Sequence, residues 1–297
     1  MAVTTSSTQL AAPAAVSKHR SEWQNVRRRF VANRVALVGL VMLTMISLTA
    51  LFAPVIAPYD PINDMDTAMR GCPPSPEHWF GCDHLGRDLL SRVIFGARIA
   101  LVAGIGATFI SVVIGVIVGA LAGFLGGWTD AILSRIVDTL MSFPIIALLI
   151  VLAAVLGPSL LTTVVVIGVT VWSRYARVVR ADVMSLRERD FIVAAYASGV
   201  RSWRIIWRHL VPNAMGPVIV LASLGIGSII ILEAALSFLG LGVRPPTPSW
   251  GAILADGRAY ILRYPHISFF PGVMIVLTVL AFNFVGDGLR DALDPKE

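Results

Sequence analysis

Lysine is almost missing from this 297-residue chain: Lys18 and Lys296 are the only two, and every other basic side chain is arginine. Neither lysine follows a glycine-rich turn or precedes Ser or Thr, so the P-loop that cradles nucleotide phosphates is excluded. Charge is scarce as well. Only 14% of residues are Asp, Glu, Lys or Arg, while 56% are hydrophobic, a balance too apolar for a soluble domain of this length. The five histidines form no His-Glu-x-x-His pair and no Gly-x-Ser-x-Gly elbow occurs, so neither zinc hydrolysis nor serine esterase chemistry is implied. With two cysteines, a disulfide-rich scaffold is excluded too.

What the chain has instead is long apolar runs. A hydrocarbon core about 30 Å thick needs about 20 mostly apolar residues per helix. Six segments qualify: Val35 to Ala57, Ile99 to Leu125, Ile136 to Leu156, Leu160 to Val179, Ala214 to Leu239 and Ile267 to Val285. The expected fold class is an all-α, polytopic membrane protein with six transmembrane helices. A cytoplasmic tail (1–34) precedes the first span, an extracytoplasmic loop (58–98) follows it, and residues 99–297 form the main transmembrane domain. Within that domain, 180–213 is a cytoplasmic loop, 240–266 an extracytoplasmic one and 286–297 the closing tail.

Orientation comes from arginine, because basic residues are retained on the cytoplasmic side. Lys18, Arg20, Arg27, Arg28, Arg29 and Arg34 precede or open the first span. Arg174, Arg177, Arg180, Arg187, Arg189, Arg201, Arg204 and Arg208 fall around the loop between spans four and five. With Arg135, Arg290 and Lys296, 17 of the 24 basic residues lie inside. Both termini are expected to be cytoplasmic. The net charge of +6 is this bias, with no basic stripe on a soluble fold to suggest nucleic acid. A signal peptide is the other reading of the basic start, but the first apolar run is too long for one. Residues Met1 to Val16, rich in Ala, Ser and Thr, have the composition of a disordered tail.

Between spans four and five lies DFIVAAYASGVRSWRIIWRHLVP, residues 190–212. Asp190 is expected to cap a short helix from Phe191 to Ser198, and Gly199 to close it in the left-handed conformation. A second helix from Ser202 to Pro212 sets Trp203, Ile206, Trp207 and Leu210 on one face, with Arg201, Arg204 and Arg208 opposite. Such a helix suits either the lipid headgroup layer or a groove on a protein partner.

The spacing Ala194-Ala195, Gly199, His209-Leu210-x-Pro212 resembles the "EAA" cytoplasmic loop of ABC importer permeases. Three further stretches, WQNVRRRFVANRVALVGLVMLTMISLTALFAPVIAPYDP, PPSPEHWFGCDHLGRDLLSRVIFGARIAL and LEAALSFLGLGVRPPTPSWG, resemble the peptide and nickel class, the DppC/OppC-like permeases of bacterial dipeptide and oligopeptide importers. So does the terminal VLTVLAFNFVGDGLRDALDP. The likeness covers nearly all the chain after residue 20. It implies a multi-pass subunit of the bacterial cell membrane that binds no cofactor itself, ATP and Mg being held by two partner ATPases. It also implies a second homologous permease subunit and an extracytoplasmic substrate-binding protein, besides membrane lipid. Asp190, Ala194, Ala195, Gly199, Trp203, Trp207, His209, Leu210 and Pro212 would then couple to the ATPase. Two residues depart from the family pattern: Val193, where Glu is usual and would fill the N3 position of a capping box, and Cys82, where Thr is common. Nickel or another small ligand is the nearest alternative cargo. A receptor or scaffold that recruits a cytoplasmic partner is the alternative of another class.

Intramembrane acids are functional candidates by default. Asp138, near the inner end of span three and six residues before the helix-disturbing Pro144, either lines the translocation path or pairs with a neighbouring subunit. Glu233, about 9 Å inside the outer end of span five, either faces the path or snorkels towards headgroups. Glycines 115, 119, 123 and 127 make a groove for close helix approach, within this subunit or with a partner. Cys72 and Cys82 share the outer loop, where an oxidising exterior favours a disulfide; a Cys/His metal cluster with His78 and His84, or two free thiols, are the alternatives.

Overall fold

The computed structural model describes residues 22–293, and among them every regular element is helical. The expected tail Met1 to Val16, Lys18 and Lys296 lie outside the described residues. Helix α1 (Glu22–Ala32) leads into α2 (Arg34–Leu51) through Asn33, whose side chain accepts hydrogen bonds from the amides of Val35 and Ala36 at 3.0 and 3.1 Å. That N-cap satisfies donors the helix itself leaves open. A short α3 (Ala53–Ile56) ends the first apolar stretch. After a long irregular segment come α4 (Leu89–Leu125), α5 (Gly127–Ser142), α6 (Ile145–Leu156) and α7 (Leu160–Arg187). The chain continues through α8 (Asp190–Ala197), α9 (Ser202–Ile205), α10 (Val211–Phe238), α11 (Trp250–Arg258) and α12 (His266–Leu293).

Among the described residues, four helical stretches are long and apolar enough to cross a membrane: α2, α4, the run Ser202–Phe238 and α12. A fifth is reached only by counting α5 and α6 together. The segment expected as the third span, Ile136 to Leu156, is bent within its length: α5 and α6 meet at 91°. The cause is Pro144. It cannot donate to the helix ladder, and it pushes Phe143 into an extended conformation, φ −84° and ψ 140°.

The main packing contact is between α4 and α7. A Cβ on Gly115 would sit 2.5 Å from the Tyr175 Cβ, one on Gly119 2.5 Å from the Ala176 carbonyl oxygen, and one on Gly123 2.8 Å from that of Arg180. These three glycines therefore let α7 lie directly on the α4 backbone. In lipid, where apolar side chains gain little by leaving the solvent, such close packing is what joins helices. Ser111 adds a buried hydrogen bond to the Gly168 carbonyl at 2.9 Å. The groove is thus used within the subunit, but Gly127 is not part of it. It opens α5 at φ +54°, and a Cβ added there would meet no atom within 4 Å.

At the end of the bundle where α4 begins, residues 57–88 and 239–265 form a cap. Trp250 is buried there and donates its indole N–H to the Val93 carbonyl at 2.9 Å. Buried charge in the cap is paired, as it must be to be tolerated. Asp83 holds Arg87 at 2.7 Å and Arg92 at 3.3 Å, and Asp256 of α11 lies 3.8 Å from Arg92. Asp88 caps α4 through the Ser91 amide and pairs with His78 at 2.9 Å.

Candidate coupling segment and intramembrane charges

At the opposite end, α7 passes through Glu188 and Arg189 directly into α8. The expected cap shifts by one residue. Arg189 has the extended conformation of an N-cap, φ −76° and ψ 144°, and Asp190 is the first helical residue, with no side-chain cap bond at this end. Val193 is consequently not at N3, a place Ile192 takes, so a Glu there would not close a capping box. Asp190 still complements the positive end of the helix dipole.

The other end of α8 matches expectation closely. Gly199 has φ +74°, its amide bonds the Tyr196 carbonyl at 3.0 Å, and the Val200 amide reaches back to Ala195 at 3.1 Å. This crossed pair is a Schellman stop, with Ala195 and Val200 both packed on the core beneath it. The Ala194 carbonyl accepts the Ser198 amide at 3.0 Å and its hydroxyl at 2.8 Å, and the His209 side chain makes no hydrogen bond among the described residues.

Pro212, by contrast, does not stop the second helix. Residues 202–238 run on as one rod, with a π-turn at Ile206–Leu210 and the Val211 amide bonded to the Ile206 carbonyl. The π-turn gives way to α-helix at Val211, so Pro212 falls in the first α-helical turn after the widened one. The buried residues are Ile205, Ile206 and Leu210, while Trp203 is 68% exposed, so the expected four-residue face is rotated. Trp203 and Trp207 tilt against each other with ring centroids 5.2 Å apart, beside Arg204, Arg208 and Pro212. The Trp207 indole nitrogen is buried and has no acceptor among the described residues.

Helix α7 carries Arg174, Arg177 and Arg180 on continuous helix rather than in a loop. Arg177 donates to Asp138 on α5 at 2.8 Å, and Arg180 clamps Asp130 with two nitrogens. Asp138 therefore has its partner inside this chain. The pair remains open, with side chains 54% and 58% exposed, and borders a cavity of about 230 Å³ lined also by Ser134, Val137 and Arg180. Glu233 is different: it is 1% exposed and accepts from the Ser237 hydroxyl at 2.7 Å. Snorkelling towards headgroups does not describe such a buried side chain. Asp130 escaped the sequence reading. Its spacing of eight from Asp138 would have been a signal, had the approach of α5 to α7 been known.

In the cap, Cys72 and Cys82 are joined as a disulfide. With their sulfurs bonded to each other, and His78 turned to Asp88, the Cys/His set does not offer free ligands. His84 instead stacks on Tyr260 at 5.6 Å.

Comparison with known proteins gives this arrangement its context. The family described as "Binding-protein-dependent transport system inner membrane component" matches residues 111–297, and "N-terminal TM domain of oligopeptide transport permease C" matches 21–74. Over 278 residues the chain is 44% identical to the dipeptide transport system permease protein DppC of Alkalihalophilus pseudofirmus, covering 93% of this chain and 90% of that one. It is 43% identical over 277 residues to the glutathione transport system permease protein GsiD of Escherichia coli, covering 93% and 91%. In fold it resembles a chain of the inward-facing MetNI methionine ABC transporter, with TM-score 0.57 and 22% identity over 69% of this chain and 98% of that one. The apolar helices and the matches along almost the whole sequence place the chain in the binding-protein-dependent transport inner membrane component family, as a multi-pass, non-enzymatic ABC permease subunit of the bacterial cell membrane.

Proposed function

We propose that this chain is one of two related permease subunits of an ATP-driven importer that moves dipeptides or oligopeptides by alternating access. The identity to dipeptide and glutathione permeases over nine-tenths of both chains carries this reading. Six spans follow if α7 crosses alongside the bent α5 and α6, with both termini and the α8–α9 hairpin in the cytoplasm. Two ATPase subunits holding ATP and Mg would grip that hairpin, and an extracytoplasmic binding protein would deliver cargo to the cap. Asp190, Ala194, Ala195, Gly199, Trp203, Trp207, His209, Leu210 and Pro212 make up or brace the gripped surface.

The hairpin suits a lever because α8 is hung between two long helices with no slack. Its Schellman stop fixes the angle at which force leaves α8, and the unbroken rod from Ser202 carries it through α10. Reversing a 1:99 population between two access states takes about 5.5 kcal/mol, so the connection must transmit several kcal/mol without melting. Asp138 would border the path in the present state, and Glu233 would reach it only after the far end of α10 moves.

Purification of the chain from its native membrane tests the assembly. Two ATPases and a second permease should accompany it, and proteoliposomes of the complex with the binding protein should accumulate labelled dipeptide only with ATP. A partner set without ATPases would favour a scaffold, and ATP-driven uptake of nickel but not dipeptide would favour the metal cargo.

A further inference from the structure

Helices α6, α7 and α10 enclose a cavity of about 240 Å³, lined by Arg174, Tyr175 and Ser228 against Ile145, Val171, Leu221 and other apolar side chains. Arg174 lies about 21 Å along α7 from Leu160 at the helical rise, deep in the helix that the six-span reading above sends across the membrane. A guanidinium at such depth is expensive against lipid and is normally found facing a water-filled cavity or a negative partner. Arg174 is exposed, yet no carboxylate of this subunit reaches it among the described residues. The acids facing α7 from α5 are already engaged, Asp138 by Arg177 and Asp130 by Arg180. On α10, Glu233 is buried against Ser237 and does not line the cavity.

Two hydroxyls complete the site. Tyr175 is 1% exposed and lines the cavity, but its hydroxyl makes no hydrogen bond among the described residues. Gly225 is what admits it: a Cβ there would collide with the Tyr175 oxygen. Ser228, one helical turn further along α10, is exposed to the same space and likewise has no hydrogen bond there. A fixed cation with two unused hydroxyl donors in an otherwise apolar cavity suits an oxyanion, and on a peptide that group is the carboxylate, which the guanidinium fork binds through two parallel N–H donors.

We infer that Arg174, with the hydroxyls of Tyr175 and Ser228, is a subsite on the translocation path for the carboxylate of the transported peptide. The inference rests on the peptide-importer reading above. It assigns the subunit a direct share in cargo selection, because a substrate lacking that carboxylate would leave the cation unpaired in the cavity. It also requires the contact to be transient, since a path residue must release what it binds.

The test uses the complete complex in proteoliposomes with its binding protein and a labelled dipeptide, for wild type, Arg174→Gln and Arg174→Lys. Uptake per ATP hydrolysed should fall about tenfold or more in Arg174→Gln, the size expected for losing a charge-assisted hydrogen bond, and recover partly in Arg174→Lys. Subunit co-purification and ATPase stimulation should be unchanged. In Arg174→Cys, a water-soluble thiol reagent should label position 174, and excess dipeptide should slow the labelling. Uptake by Arg174→Gln equal to wild type would overturn the subsite while leaving the importer intact. Loss of the second permease from the purified Arg174→Gln complex would also overturn it, by making the guanidinium a subunit contact. Absence of dipeptide uptake by wild type would instead defeat the peptide reading itself, and the subsite with it.

Discussion

Arg180 on α7 holds Asp130 on α5 through two parallel contacts, Nη2 to Oδ2 at 2.6 Å and Nε to Oδ1. Ser134 also donates to the same carboxylate at 3.0 Å. Because α7 runs straight into α8, this clamp ties the bent α5 and α6 to the hairpin. Asp130→Asn should weaken the tie by about 1 kcal/mol, the modest figure appropriate to a partly exposed pair. A double-mutant cycle of Asp130→Asn and Arg180→Gln, read as thermal stability and uptake per ATP, should show coupling of that size. Additive losses in both readouts would remove the clamp from the mechanism.

Gly199 offers a sharper test of the hairpin. At φ +74° a side chain with a β-branch meets the penalty of left-handed backbone, roughly 1–2 kcal/mol. Asn, which tolerates that region, should be far milder. Gly199→Val is therefore expected to insert and assemble but to lose most ATP-coupled uptake, and Gly199→Asn to keep most of it. Equal uptake by wild type and the Val variant would count heavily against force passing through α8.

The spans and the hairpin were legible because each rests on a local rule. Apolar runs longer than the bilayer announce helices, Gly199 announces a left-handed stop, and the His-Leu-x-Pro spacing places the segment in a family. What could not be read depends on which surfaces meet. Pro144 was visible as a disturbance, but the size of the bend is set by what α5 and α6 pack on. Pro212 looked like a terminator because a π-turn before it cannot be foreseen from propensity. Arg174, Arg177 and Arg180 looked like loop charges by their sign alone, whereas the acids of α5 and the cavity beside α10 let them sit on a continuous helix. The buried set Asp83, Arg87 and Arg92 escaped for the same reason, since it forms only when the cap folds back on α4.

The cap should depend on its covalent tie. Joining Cys72 to Cys82 closes a short loop, and a loop of this length removes about 3 kcal/mol of disorder from the unfolded chain in the chain-entropy account. Cys72→Ser with Cys82→Ser should therefore lower the melting temperature of the purified complex and speed proteolysis within residues 59–88. Transport should change less than stability, because α4 remains capped by Asp88. Thiol labelling of untreated membranes should be negligible and should rise after reductant. Full labelling before reductant would mean the thiols are free in the cell.

Acid should loosen the same cap for a separate reason. The Asp60 carboxylate accepts the backbone amides of Asn63 and Ile62 at 2.8 and 2.7 Å, and these bonds hold its pKa below the ordinary carboxylate value. Glu77 is lowered in the same direction by its own backbone amide and by the Ser75 hydroxyl. In both, the folded state binds its proton less readily than the unfolded chain. Their contribution is thus fully present above the unfolded pKa, near 4, and disappears as pH falls through the lower folded value. Hydrogen exchange at Ile62 and Asn63, corrected for the intrinsic rate, should show constant protection from pH 7 to about 5 and a decline below about 4. Asp60→Asn should flatten that decline and lower protection at neutral pH. Protection that stays constant to pH 3 in wild type would show that these amides are held by something other than the ionised Asp60.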